Sequence, residues 1–161
     1  MQIIKQNVGG EVDSKLLQLS VQVMNQDLSI KIISKRQFSN TPKGFKSMQV
    51  WLDKKCSSDL VIHLTMEATG VYYESVAYYF LALDNYNVHV VLTNTSNAFI
   101  KSLNNKSKTD EIDSRALAQM GLERQLSLWN PHTPQMRLLK KTNRERLRLN
   151  REKTMITNQL H

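Results

Sequence analysis

Residues 60 to 92 decide the fold: Leu60-Val61-Ile62-His63-Leu64, then Met66-Glu67-Ala68-Thr69-Gly70, an apolar segment from Val71 to Leu83, and Val88-His89-Val90-Val91-Leu92. Two short aliphatic runs separated by a helix-length apolar segment read as strand, helix, strand. Short, continuously apolar strands are what a parallel sheet covered on both faces requires, so a crossover helix and parallel pairing are expected here. Glu67 then follows the strand Leu60 to Leu64 at its carboxyl end, where open α/β sheets carry their sites.

Toward the N-terminus, residues 16–24 (LLQLSVQVM) and 29–38 (SIKIISKRQF) alternate or cluster β-branched residues around a turn at Asn25-Gln26-Asp27, which predicts a hairpin. Val8 to Val12 adds a short first strand, with Gly9 and Gly10 permitting close backbone approach. Asn40-Thr41-Pro42-Lys43-Gly44 starts a helix, Thr41 capping it and Pro42 in first position; Phe45, Met48, Trp51 and Leu52 follow at helical spacing until about Lys55. Toward the C-terminus, Thr93 to Asn97 reads as polar punctuation, and Ile112, Leu117, Met120 and Leu122 space a helix over residues 110–125. Three antiparallel strands, then strands alternating with helices, then a long basic helix give an α/β chain with the element order of a ribonuclease-H-like mixed sheet flanked by helices.

Composition sets the class of partner. With 161 residues, 40% hydrophobic and 22% charged, and only five Gly and three Pro, the chain has one ordinary core and is neither collagen-like nor low in complexity. No apolar run approaches the roughly 20 residues that span a bilayer, and MQIIKQNVGG lacks the apolar stretch of a signal peptide, so a cytoplasmic protein without membrane contact is expected. Cys56 has no second cysteine, and His63, His89, His132 and His161 are scattered, which removes disulfide and zinc-cluster chemistry. Twenty-two Lys+Arg against 14 Asp+Glu leave a net charge of +8, favouring a polyanion as partner.

That charge is concentrated at one end. From Pro131 to His161 there are eight basic residues (Arg137, Lys140, Lys141, Arg144, Arg146, Arg148, Arg151, Lys153) against Glu145 and Glu152, a local balance of +6. Pro131 and Pro134 punctuate the chain just before it, placing a boundary between residues 1–130 and 131–161. Arg137, Lys140, Lys141, Arg144, Arg148 and Arg151 either grip phosphates or form a solvated face. Leu139, Thr142, Leu149, Ile156 and Leu160 follow an approximate heptad seam that Arg146 and Lys153 interrupt, a weakly encoded signal for pairing of two copies. Tyr72, Tyr73, Tyr78, Tyr79 and Phe80 fall at core spacing, His63 reads as a satisfied core histidine, and Cys56 as inert.

Chemistry concentrates in Lys106-Ser107-Lys108-Thr109-Asp110-Glu111-Ile112-Asp113-Ser114-Arg115-Ala116. Asp110 and Asp113 project from one helix face. Taken alone they are first-turn acids that the helix dipole favours behind a Thr109 or Ser107 cap. Glu67 at a strand end, and Glu11 in Gly10-Glu11-Val12-Asp13, offer two more acids. If the first and fourth strands are neighbours, Glu11, Glu67, Asp110 and Asp113 converge. Four carboxylates in one place repel each other, and Mg²⁺ or Mn²⁺ is the natural remedy, suited to phosphoryl transfer on a nucleic-acid backbone. Lys101, Lys106, Lys108 and Arg115 flank the pair and either steer phosphates toward it or are solvated.

Together these motifs resemble the N-terminal part of the DEDD transposases of insertion-sequence family 110, relatives of the Piv invertases. The matching stretches are Val8-Gly9 to Lys15, Phe38-Ser39-Asn40-Thr41-Pro42-Lys43-Gly44-Phe45, Met66 to Tyr72, Lys108 to Asp113, and Asn158-Gln159-Leu160-His161, in the family's order and at its separations. The resemblance implies a RuvC-like domain whose acidic tetrad (Glu11, Glu67, Asp110 and Asp113) binds Mg²⁺ for DNA strand cleavage and exchange. The first position departs from the family's usual aspartate; in-register alignment selects Glu11, a shifted one Asp13. The resemblance also implies a structured non-coding guide RNA as second partner, and a C-terminal domain, absent from this chain, that supplies a nucleophilic serine. Two rivals use the same residues: a standalone nuclease of Holliday-junction-resolvase type, and a non-catalytic nucleic-acid-binding module.

Overall fold

A computed structural model describes residues 2–104 and 107–160. Five strands and five helices follow in the order β1 (Ile3–Val12), β2 (Leu16–Asn25), β3 (Ile30–Ser39), α1 (Pro42–Lys55), β4 (Ile62–Glu67), α2 (Tyr72–Leu81), β5 (Tyr86–Val91), α3 (Thr93–Ser102), α4 (Asp110–Glu123) and α5 (Pro134–Gln159). The chain divides after Trp129 into a sheet domain and a separate unit that holds α5.

The sheet order is β3-β2-β1-β4-β5, with β1 antiparallel to β2 and parallel to β4. Alternation along each strand divides side chains between two faces. One face sends Val8, Val12, Leu17, Leu19, Ile62, Leu64, Met66 and Val88 into a core closed by Phe45, Met48 and Leu52 of α1 and Val76, Ala77 and Phe80 of α2. The other carries Asn7, Gly9, Ser20, Gln22 and Thr65 beneath α4, a polar and small surface. Val91, Phe99, Leu117 and Met120 make a smaller core there with α3.

Missing side chains, at one position on the sheet and one on the helix, are what let α4 sit so low on that second face. A Cβ added to Gly9 would lie 1.9 Å from the Ser114 carbonyl oxygen and 2.3 Å from the Ala118 nitrogen, and one at Gly121 would lie 2.0 Å from Asn7 Nδ2. Gly9 therefore lets backbone meet backbone, and Gly121 leaves room for the Asn7 and Thr65 side chains. A Cβ at Gly10, its neighbour on β1, would meet side-chain atoms instead, Leu19 Cδ2 at 3.2 Å and Met66 Cγ at 3.3 Å.

Three expectations need correction. β1 begins at Ile3 rather than Val8, because buried Gln6 satisfies its amide by donating to the Ser57 and Leu60 carbonyls and accepting from Ser57 N, so polar residues extend the strand inside the protein. β4 is shifted to Ile62–Glu67, which makes Glu67 the last residue of the strand itself. Thr93 to Asn97 is no loop but the opening of α3, held down by buried Ser96 and Phe99, while Leu92 stands outside β5 at 65% exposure. Elsewhere, Thr41 Oγ1 caps α1 by accepting from Gly44 N at 3.1 Å, and Thr109 Oγ1 caps α4 by accepting from Ile112 N at 3.2 Å.

Candidate active site

Parallel pairing of β1 with β4 in the register Gly9↔Thr65 and Gly10↔Met66 brings Glu11 and Glu67 to the ends of neighbouring strands, on the α4 face. The cap at Thr109 and the Gly9 contact set the first turn of α4 against the same strand ends, carrying Asp110 and Asp113 there. Burial pushes Glu11 up from the usual 4.5 to about 7, and the negative charges of Glu67, Asp113 and Asp110 add to it against an opposing pull from Lys108. Asp113, 4% exposed, is raised first by burial, with Glu67 and Asp110 adding and Lys108 opposing. Glu11 Oε2 and Asp113 Oδ1 are buried without a hydrogen-bond partner among the described residues. Two orphaned carboxylate oxygens among like charges form a cation-seeking arrangement. Among the described residues, no three His, Cys, Asp or Glu side chains are gathered closely enough to cage an ion unaided.

Asp13, the alternative to Glu11, is differently employed. Its Oδ1 accepts from Lys15 N at 2.6 Å and Leu16 N at 2.7 Å, stabilising the β1–β2 turn, and these backbone donors lower its pKa. Asp13 and Asp110 share a small cleft with Glu11, but among these acids only Glu67, Asp113 and Asp110 act on the Glu11 charge.

The raised Glu11 value has a pH consequence. Between pH 4.5 and about 7 the folded chain holds a proton that the unfolded chain has lost, so stability falls as pH climbs through that window. Glu11→Gln is expected to flatten the slope and add about 1 to 2 kcal/mol at pH 8, after allowing for solvent around a partly exposed carboxyl. Urea titrations of both proteins from pH 5 to 8 measure it; identical profiles contradict a strained carboxylate.

Glu67 is positioned by residues the sequence did not single out. Ser96 Oγ, fully buried in α3, donates to Glu67 Oε2 at 2.7 Å, and Thr69 Oγ1 donates to Oε1 at 2.9 Å. With the polar run Thr93 to Asn97 read as punctuation, Ser96 had no reason to stand out. Ser96→Ala is expected to weaken divalent-ion binding roughly ten-fold, as loss of a residue that orients a ligand does. Ser96→Thr retains the hydroxyl and is expected to lose less; equal losses would identify a packing effect instead.

The expected nucleic-acid contacts divide by location. Lys108 is exposed and its charge acts on Glu11 and Asp113; Lys101 is exposed on α3; Lys106 lies outside the described residues. Arg115 lines a different cleft, of about 400 Å³, with Gln22, Ile32, Ile112 and Gln119. In the separate α5 unit Arg137, Lys140, Lys141, Arg144, Arg148 and Arg151 are all exposed, and Arg148 pairs with Glu145 at 2.9 Å and Glu152 at 3.6 Å. His63 is satisfied, its Nδ1 2.9 Å from His89 Nε2, and burial pushes the Cys56 thiol up to about 12, leaving it unreactive. Of the aromatic run, Phe80 is fully buried and Tyr73 and Tyr79 pack on the core, whereas Tyr72 is 45% exposed.

A family profile described as "Transposase", covering the DEDD transposases of insertion sequence 110, matches residues 14–161. The chain belongs to this DEDD transposase family. The match includes Glu67, Asp110 and Asp113; Glu11 and Asp13 lie just ahead of it. Pilin gene-inverting proteins of Moraxella bovis and Moraxella lacunata are each 32% identical over 94 residues, 58% of this chain, which spans 29% of their length. Among solved structures, Thermus thermophilus RuvC superposes with a TM-score of 0.55 at 9% identity, over 78% of this chain and all of RuvC. The fowlpox virus Holliday junction resolvase gives 0.51 at 16% identity, over 74% and 98%. This member of the DEDD family thus carries the ribonuclease-H-like fold. No described helix is long and apolar enough to cross a membrane.

Proposed function

We propose that this chain is the metal-binding, DNA-cleaving part of a transposase or site-specific recombinase, with Glu11, Glu67, Asp110 and Asp113 holding Mg²⁺ or Mn²⁺ during strand cleavage and exchange. The supporting observation is that Glu11 of β1 and Asp113 of α4 are both raised by burial, with the charges of Glu67 on β4 and Asp110 on α4 adding to each, and that one oxygen of each is buried without a partner among the described residues. An all-oxygen, anionic donor set fits a hard divalent cation. Such an ion, when bound, polarises a phosphodiester and stabilises the leaving oxygen.

The chain's own groups do the rest. Ser96 and Thr69 fix the Glu67 carboxylate; Lys108, opposing the acids, is placed to draw a phosphate backbone in. Substrate phosphates would complete the coordination of an ion held by these carboxylates. The basic α5 is our candidate surface for DNA, for a structured guide RNA and for pairing of two copies.

A four-way DNA junction with and without Mg²⁺ tests the assignment. Junction binding with metal uptake but no cleavage by this chain alone is the expected result. Divalent-dependent cleavage by the chain alone would select the resolvase-type nuclease, and metal-indifferent binding would select a non-catalytic module.

A further inference from the structure

We propose that the groove between β3 and α1 is a second nucleic-acid surface, one that grips the phosphodiester backbone on the sheet face opposite the carboxylates. Consecutive residues of β3 point to opposite faces: Lys35 lies opposite Ser20 and pairs with Glu111 of α4, while Arg36 lies opposite Leu19, on the α1 side. The groove, about 320 Å³, is lined by Arg36, Lys46, Ser47, Val50, Trp51 and Lys54. Among the described residues three cations and no acid line it. Lys43 continues the stripe one turn earlier on α1. The one acid of that helix, Asp53, is engaged by the Tyr86 hydroxyl at 3.0 Å.

Two features separate this groove from an ordinary solvated face. Lys35 next door is neutralised by a carboxylate, whereas Arg36, Lys46 and Lys54 have none among the described residues. Moreover, the Arg36 guanidinium is held 5.1 Å over the Phe38 ring, itself 5.4 Å from Trp51, so its planar fork is oriented before any ligand arrives. Uncompensated, pre-oriented cations complement a polyanion. Trp51 is only 7% exposed, so no ring is offered for base stacking, and contact is with backbone rather than sequence. Lys46 and Lys54 stand about 12 Å apart along the helix, a span of several nucleotides of one strand.

The test compares two charge-matched variants of the whole chain, Lys46→Gln/Lys54→Gln in the groove and Lys31→Gln/Arg124→Gln away from it. Fluorescence anisotropy against a 30-base-pair DNA duplex and an RNA duplex of the same sequence, in EDTA, makes the outcome independent of what the carboxylates do. The groove pair is expected to lose about ten-fold in affinity and roughly 2 from the salt slope, near 0.9 per phosphate contact, with the control pair within two-fold of the parent. Loss on both duplexes assigns the shared backbone, and loss on one names the polymer. Equal losses from groove and control pairs, or none from either, would overturn the proposal. Arg36→Gln repeats the comparison with a residue outside α1.

Discussion

Asp113→Asn is expected to cost the chain at least about 100-fold in Mg²⁺ affinity, measured by calorimetry with a DNA junction present, while leaving it as stable as before or more so. The two outcomes come from one cause. Asp113 is 4% exposed and burial raises its pKa, so its ionised form is held in the fold at a cost. Asparagine keeps the shape and removes the charge, which relieves that cost and leaves the Glu11 carboxylate with one fewer like-charged neighbour. A loss of 100-fold corresponds to about 2.7 kcal/mol. A residue serving only the helix dipole gives another pattern: its removal destabilises by a few tenths to about 1 kcal/mol and leaves metal affinity alone. Asp113→Asn retaining the parent's metal affinity would remove it from the site.

Gly9→Ala is expected to destabilise the domain by about 3 kcal/mol, while Gly10→Ala costs under about 1 kcal/mol. The residues are adjacent on β1 and chemically identical, so only their surroundings separate them. At Gly9 the added methyl meets the backbone of Ser114 and Ala118 at 1.9 and 2.3 Å, and backbone in the middle of a helix does not yield without moving the helix. At Gly10 it meets side-chain atoms, Leu19 Cδ2 and Met66 Cγ at 3.2 and 3.3 Å, which need give by only a few tenths of an ångström. Urea midpoints of the two variants measure the contrast, and similar midpoints would show that α4 is seated less tightly than its contacts indicate. Displacing α4 also carries Asp110 and Asp113 away from Glu11 and Glu67, so Gly9→Ala is expected to weaken metal binding more than its stability loss explains.

Much of this architecture is legible in the sequence because hydrophobic alternation and capping chemistry are local. The hairpin of β2 and β3, the Thr41-Pro42 start of α1 and the Thr109 start of α4 all rest on residues within a few positions of each other. Where the reading falls short, the missing term is tertiary. Gln6 and Asn7 look like surface residues until the partners of Gln6 51 and 54 positions away are known. Thr93 to Asn97 has poor helix propensity, and packing of Ser96 and Phe99 overrides it. Both glycines of β1 suggested close approach, but only the fold reveals that Gly9 faces a helix backbone and Gly10 does not. The acids were recognisable from their neighbours in sequence; Ser96 and Thr69, which hold Glu67, acquire meaning only from geometry.

The low seat of α4 on a seam of small residues means that the gap between its acids and those of the strands is governed by positions with no chemistry of their own. Bulk at 9, 114, 118 or 121 acts as a shim. Genetic suppressors of a shortened or lengthened acid at position 11 should therefore collect along this seam, far more often than among the charged residues it brings together.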